Sequence, residues 1–146
     1  MDSRVRPLAT LLVAGLLGMA AVTKLMQPES FALDIANYKL LPRQALQPLA
    51  YLLPPWEAVV ALALFSKTYR RAAWLLAGAL FLLFAGAVGS AVARGLDISC
   101  GCFGGAMTVS WVHLVVNLVL VLLCLWQFRV ASLPPRAQGE EPGCTG

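Results

Sequence analysis

Two cysteines separated by a single glycine, Cys100 and Cys102, are the residues most suited to chemistry in this chain. They lie in the run Arg94-Gly-Leu-Asp-Ile-Ser-Cys-Gly-Cys-Phe-Gly-Gly. A bridge across so short a loop removes little entropy from the unfolded chain and stabilises little. A strained, exposed disulfide is more easily reduced, and such bonds tend to be labile or catalytic. Gly101, Gly104 and Gly105 relax the backbone around the pair. Thiol–disulfide exchange is the first chemistry this spacing suggests. Metal binding is a second, but two thiolates need two more ligands and His113 is the only histidine, so no metal site is assigned. An inert or structural bridge is the third. Arg94 and His113 could each stabilise a nearby thiolate. Their plainer roles are an interfacial anchor and a helix-end residue.

Glu57 is the other notable group. It falls inside an apolar stretch, where a carboxylate is costly and usually marks function or pairing. The structural alternative is a neutral Glu57 hydrogen-bonded to carbonyls freed by Pro54 and Pro55. Lys24 ends the first apolar run, and its plain role is to reach out to the membrane interface. Asn117 reads as glue between helices. Cys124 reads as a small packing residue, and Cys144 as a free thiol.

The elements that position these groups follow from composition. Of 146 residues, 60% are hydrophobic and 12% charged, and the mean hydropathy is +0.77. A soluble fold this small has too much surface to hide that apolar content. The net charge of +4 is mild and forms no stripe along which a phosphate backbone could run, so no nucleic-acid partner is expected. Four stretches approach the ~20 apolar residues that cross a bilayer. They run over about 8–26, 46–66, 72–93 and 109–128. The first is longer than a cleavable signal core and is read as a retained anchor. The second is expected to begin near Gln44 and to kink at Pro54-Pro55. Ala14 and Gly18, and Ala85, Gly86, Gly89 and Ser90, offer small surfaces for close helix packing.

Charge sets the orientation. With the N-terminus inside, the inner segments hold Arg4, Arg6, Lys67, Arg70, Arg71, Arg129 and Arg136, and the outer ones Lys24, Lys39, Arg43 and Arg94. The expected fold is therefore all-α: an integral membrane antiparallel four-helix bundle with both termini cytoplasmic. Residues 1–131 form one membrane domain, and 132–146 form a Pro-, Gly- and Glu-rich tail expected to be disordered. Gln27–Ala45 and Arg94–Thr108 are the outer loops. Trp74, Trp111 and Trp126 are placed as interfacial belt residues.

These features resemble a known family. Lys24, Pro28 and Phe31, the run Ile35-Ala-Asn37-Tyr38-Lys-Leu-Leu-Pro42, then Pro54, Glu57, Cys100-Gly-Cys102-Phe103-Gly104 and Asn117 are similar to the pattern of the MauE family of methylamine-utilisation membrane proteins, within the wider DoxX-like group. The resemblance covers about residues 8–128. It implies a four-helix protein of redox character in a bacterial plasma membrane. Members accompany maturation of a periplasmic, disulfide-rich methylamine dehydrogenase and often act beside a thioredoxin-like partner. The family's cysteine pair maps onto Cys100 and Cys102. Redox bundles of the vitamin K epoxide reductase and disulfide-bond-formation types give a looser analogy, with two cysteine pairs and a quinone; this chain has one outer pair. The expectation is a membrane redox accessory that exchanges thiol–disulfide equivalents through Cys100 and Cys102, supported by Glu57, Arg94, His113 and Lys24, with a quinone near Glu57 as the cofactor left open. The alternatives are a non-catalytic subunit that scaffolds a partner, and a small transporter using Glu57 as a proton site.

Overall fold

The computed structural model describes residues 5–96 and 111–132, and the regular structure in them is helical throughout. The helices are α1 (Val5–Met26), α2 (Pro28–Asn37), α3 (Arg43–Ala63), α4 (Arg70–Ala93) and α5 (Trp111–Ala131). Among them α1, α4 and α5 are long and apolar enough to cross a membrane. They coincide with the first, third and fourth expected spans to within a few residues.

α3 is the less apolar long helix. Its 21 residues make about 32 Å at 1.5 Å per residue, close to the ~30 Å of a hydrocarbon core. It continues through Pro48, Pro54 and Pro55. Each proline lacks an N–H, so the carbonyls of Gln44, Ala50 and Tyr51 lose their usual helical donor.

The stretch expected to be a loop over Gln27–Ala45 contains α2, and the reason is local. Pro28 sits in the first turn with its φ already near the helical value, and Glu29 faces the positive helix end. Phe31, Ile35 and Tyr38 recur on one face, with Phe31 buried. Lys39 then turns the chain with φ +50°, a conformation few residues other than glycine adopt.

The most extensive helix contacts are α4 on α5 and α1 on α3. α4 and α5 run antiparallel: Arg71 lies over the Phe128 ring, Gly78 faces Cys124, and Gly89 faces Leu114. Of the described glycines, Gly78 is the most tightly faced: an added Cβ would stand 3.3 Å from the Cβ of Cys124. Ala14 and Ala85 are buried as their size suggests. At Gly18 and Gly86, expected in the same contacts, an added Cβ would meet nothing within 4 Å.

The core joins α1, α3, α4 and α5 through Val13, Leu17, Leu64, Trp74, Ala77 and Cys124. On α1 the buried positions Ala9, Val13, Leu17, Ala20, Ala21 and Lys24 follow the helical repeat. Cys124 is a packing residue, fully enclosed. Trp74 departs from its expected belt position: it is 2% exposed and fills the core, whereas Trp111 and Trp126 do face outward. The outer faces remain apolar. Leu8, Leu12 and Met19 on α1, Leu52, Val59 and Leu62 on α3, and Val115, Val119 and Leu122 on α5 are all exposed. Water would penalise such a surface, and hydrocarbon would not.

Candidate functional site

The most unusual interaction lies between α1 and α3. Lys24 Nζ donates to Glu57 Oε1 at 2.5 Å, and both side chains are sealed from solvent. The ammonium also sits 4.9 Å from the Phe31 ring centre and 4.5 Å from that of Phe84. Ring faces attract a cation, and more strongly when it is desolvated. The four residues come from α1, α2, α3 and α4 in turn, so a single charged group ties four helices together. Glu57 Oε2 has no hydrogen-bond partner among the described residues.

This arrangement corrects the plain reading of Lys24 and favours pairing over carbonyl capping for Glu57. Lys24 does not reach outward to the interface but points into the protein, where a buried carboxylate outcompetes a distant headgroup. Glu57 uses Oε1 to bind Lys24 rather than to cap carbonyls freed by the prolines. Pairing is the usual condition for keeping charge in such surroundings.

A cavity of about 250 Å³ adjoins the pair. Phe31, Leu53, Leu83, Phe84 and Val88 wall it, with Asp34 and Tyr38 contributed by α2 and the turn that follows. Phe31 and Phe84 thus belong both to this cavity and to the cage around Lys24.

Arg94 stands at the end of α4. Its Nε donates to the Ser90 carbonyl at 3.0 Å, and its Nη2 donates to the Tyr38 carbonyl and to Ser90 Oγ at 3.3 Å. The end of α4 is thereby fastened to the end of α2. Gly95, at φ +61°, stops the helix. The N–H of Leu96 bonds to Ala91 O at 3.0 Å and that of Gly95 to Val92 O at 3.1 Å. This double closure is a Schellman cap, and it fixes the direction in which the chain leaves α4.

Cys100 and Cys102 lie outside the described residues, as does the 133–146 stretch with Cys144. His113 is in the first turn of α5. Asn117 donates its amide to the His113 carbonyl at 2.8 Å, one turn earlier on the same helix, so the described bond is intrahelical rather than between helices. Phe84 is the member of the Lys24 cage that sequence reasoning missed. An aromatic residue within an apolar span carries no signal that it faces a cation.

A family model, the methylamine utilisation protein MauE, matches residues 3–129. The chain belongs to the MauE family. It is 37% identical over 139 residues to the methylamine utilization protein MauE of Methylophilus methylotrophus, covering 94% of this chain and 73% of that relative. The corresponding protein of Paracoccus denitrificans is 40% identical over 109 residues, covering 73% of this chain and 59% of the relative. That of Methylorubrum extorquens is 36% identical over 130 residues, with 87% and 68% covered. No solved structure gives a significant match. Membership of the MauE family and three described helices long and apolar enough to cross a membrane agree with each other.

Proposed function

We propose that this MauE-family protein is a redox accessory of the bacterial plasma membrane. It exchanges thiol–disulfide equivalents through Cys100 and Cys102 with a periplasmic thioredoxin-like partner during protein maturation. In the reducing direction, one thiolate of the pair attacks a disulfide sulfur of the partner. A mixed disulfide forms and the partner's other sulfur leaves as a thiolate. The second cysteine attacks the mixed disulfide, closes the Cys100–Cys102 bridge and releases the partner's remaining thiolate. Two electrons pass to the partner, and the exchange also runs in reverse.

The observation that carries this reading is the anchoring of the segment that bears the cysteines. Arg94 fastens the end of α4 to Tyr38, Gly95 directs the exit, and α5 returns antiparallel against α4. A reactive pair flanked by glycines gains from fixed ends, which keep its encounters with a partner in one place. Lys24, Glu57, Phe31 and Phe84 support that end by locking α1 to α4 together. The adjoining apolar cavity suits a flat ring such as a quinone's, which would supply a two-electron acceptor.

The topology belongs to the same proposal. α3 serves as a fourth span, supported by its length and by its exposed Leu52, Val59 and Leu62. In this proposal the helices form an antiparallel four-helix bundle with both termini cytoplasmic, an orientation supported by the basic residues of the 67–71 turn. The closed pairing of Glu57 with Lys24 gives a lone proton-carrying glutamate, as a transporter would need, no support. Thiol trapping in cells with a maleimide reagent tests the reading. A redox-sensitive mass shift that disappears when Cys100→Ser and Cys102→Ser are combined is expected. A complementing activity unchanged in both variants would leave the scaffold reading.

A further inference from the structure

At the opposite end of the molecule from Tyr38 and Arg94 lies a second cavity, of about 510 Å³. It sits where the first turns of α1 and α4 meet the last turns of α3 and α5. Arg6, Thr10, Arg70 and Gln127 supply polar groups to its lining, and Ala131, the last residue of α5, also lines it. Gln127 is 3% exposed, yet its Nε2 has no hydrogen-bond partner among the described residues. The buried Nε of Arg70 also lacks one there. Buried donors of this kind are normally satisfied. Arg6 makes an interaction of its own, so Arg70 and Gln127 are the open donors.

Charge and chain length narrow what reaches them. Arg6, Lys67, Arg70, Arg71 and Arg129 gather at this end, on the starts of α1 and α4, the turn before α4 and the last turn of α5. The positive end of the 24-residue α4 joins them, since its first turn has no side-chain cap. Of the seven acidic residues in the chain, Glu29, Asp34 and Glu57 belong to α2 and α3, and Asp97 follows the far end of α4. Asp2, Glu140 and Glu141 remain, all outside the described residues. Glu140 comes nine residues after Ala131, at the cavity wall. Nine residues span up to about 30 Å when extended. Pro134 and Pro135 intervene, and neither can prolong α5. The acidic pair is therefore tethered within reach of the cavity.

We propose that the 133–146 segment docks back into this cavity through Glu140-Glu141. One carboxylate accepts from Arg70 Nε and Gln127 Nε2, and the other lies towards the positive end of α4. Guanidinium–carboxylate hydrogen bonds are roughly twice as strong as neutral ones. A tether this short keeps the entropy lost on closing the loop small. The docked segment fastens the end of α5 to the start of α4, as Arg94 fastens the other end of α4 to α2.

The test uses the full chain purified in non-ionic detergent and a carbodiimide, which joins an amine to a carboxylate in contact with it. Arg70→Lys keeps the positive charge and supplies the amine. Trypsin cleaves after Arg136, and mass spectrometry of the monomer band shows what the 137–146 peptide is joined to. A crosslink from position 70 to Glu140 or Glu141 is expected. Its yield should exceed that from Lys67, in the exposed turn nearby, by about tenfold, the worth of one charge-assisted hydrogen bond. Gln127→Leu in the same chain lowers that yield. Equal yields at the two positions, or joining to Asp2 in place of the segment, overturn the proposal. No crosslink at all also overturns it and leaves water as the occupant. Thermal unfolding gives a second measurement should Arg70→Lys fold poorly. Arg70→Gln is expected to lower the unfolding temperature less when Glu140→Gln and Glu141→Gln are already present. Equal losses in the two backgrounds overturn the docking.

Discussion

Lys24 and Glu57 form a 2.5 Å ion pair between α1 and α3 with neither side chain open to solvent. The pair lies 33 residues apart in sequence, so it fixes how two non-adjacent helices meet. Removing one partner strands a buried charge, which typically costs about 3–5 kcal/mol. Lys24→Met and Glu57→Leu should each lower the unfolding temperature in detergent substantially. The double variant should recover most of the loss, because two apolar side chains of similar size remove both charges at once. Additive losses in the double variant would mean that the two residues act independently.

The cage around the ammonium gives a separate expectation. Phe84→Leu keeps the apolar volume but removes the ring 4.5 Å from Lys24 Nζ. A desolvated cation over a ring is worth about 2 kcal/mol, so Phe84→Leu should destabilise by roughly that amount. The same substitution in a Lys24→Met background should cost clearly less. Equal costs in both backgrounds would assign Phe84 to packing alone.

The exit from α4 depends on Gly95. At φ +61° a side chain is strained, and left-handed backbone costs other residues about 1–2 kcal/mol. Gly95→Ala should therefore fray the end of α4. Hydrogen exchange at Gly95 and Leu96 should rise, because their N–H groups close the cap. Protection equal to that of the parent chain would show that the cap does not depend on glycine.

Two glycines on α4 should behave oppositely. Gly78→Leu drives a side chain into the Cys124 contact at 3.3 Å and should cost about 1–3 kcal/mol as overpacking. Gly86 faces open space, so Gly86→Leu should be neutral or slightly stabilising. Thermal unfolding of the two variants side by side checks the difference.

Periodicity and length made α1, α4 and α5 legible in the sequence, because a run of about 20 apolar residues has few other uses. α2 was not read as a helix. Its ten residues include four polar or charged positions, so its apolar face is visible only when Phe31, Ile35 and Tyr38 are aligned at helical spacing. Glu57 stood out as a carboxylate in an apolar run, but its partner did not. A lysine near a helix end looks the same whether it reaches outward or folds back into the core. Trp74 shows the same ambiguity, since an aromatic near a span end fits a belt or a core. Gln127 and Arg70 gave no signal, since their significance lies in donors left without partners, which only packing shows. Cys100 and Cys102 lie outside the described residues, so their proposed role rests on their spacing in the sequence.

In the proposed function, Cys100 and Cys102 exchange electrons with a partner protein. The most direct measurement is a mixed-disulfide trap: express Cys100→Ser and Cys102→Ser separately in cells, quench with acid, alkylate, and run non-reducing gels with mass spectrometry of any adduct. One of the two variants is expected to accumulate a reducible adduct with a thioredoxin-like protein through its remaining cysteine, and the double variant to show none. Absence of any adduct in both single variants, with full complementing activity retained, would contradict the claim.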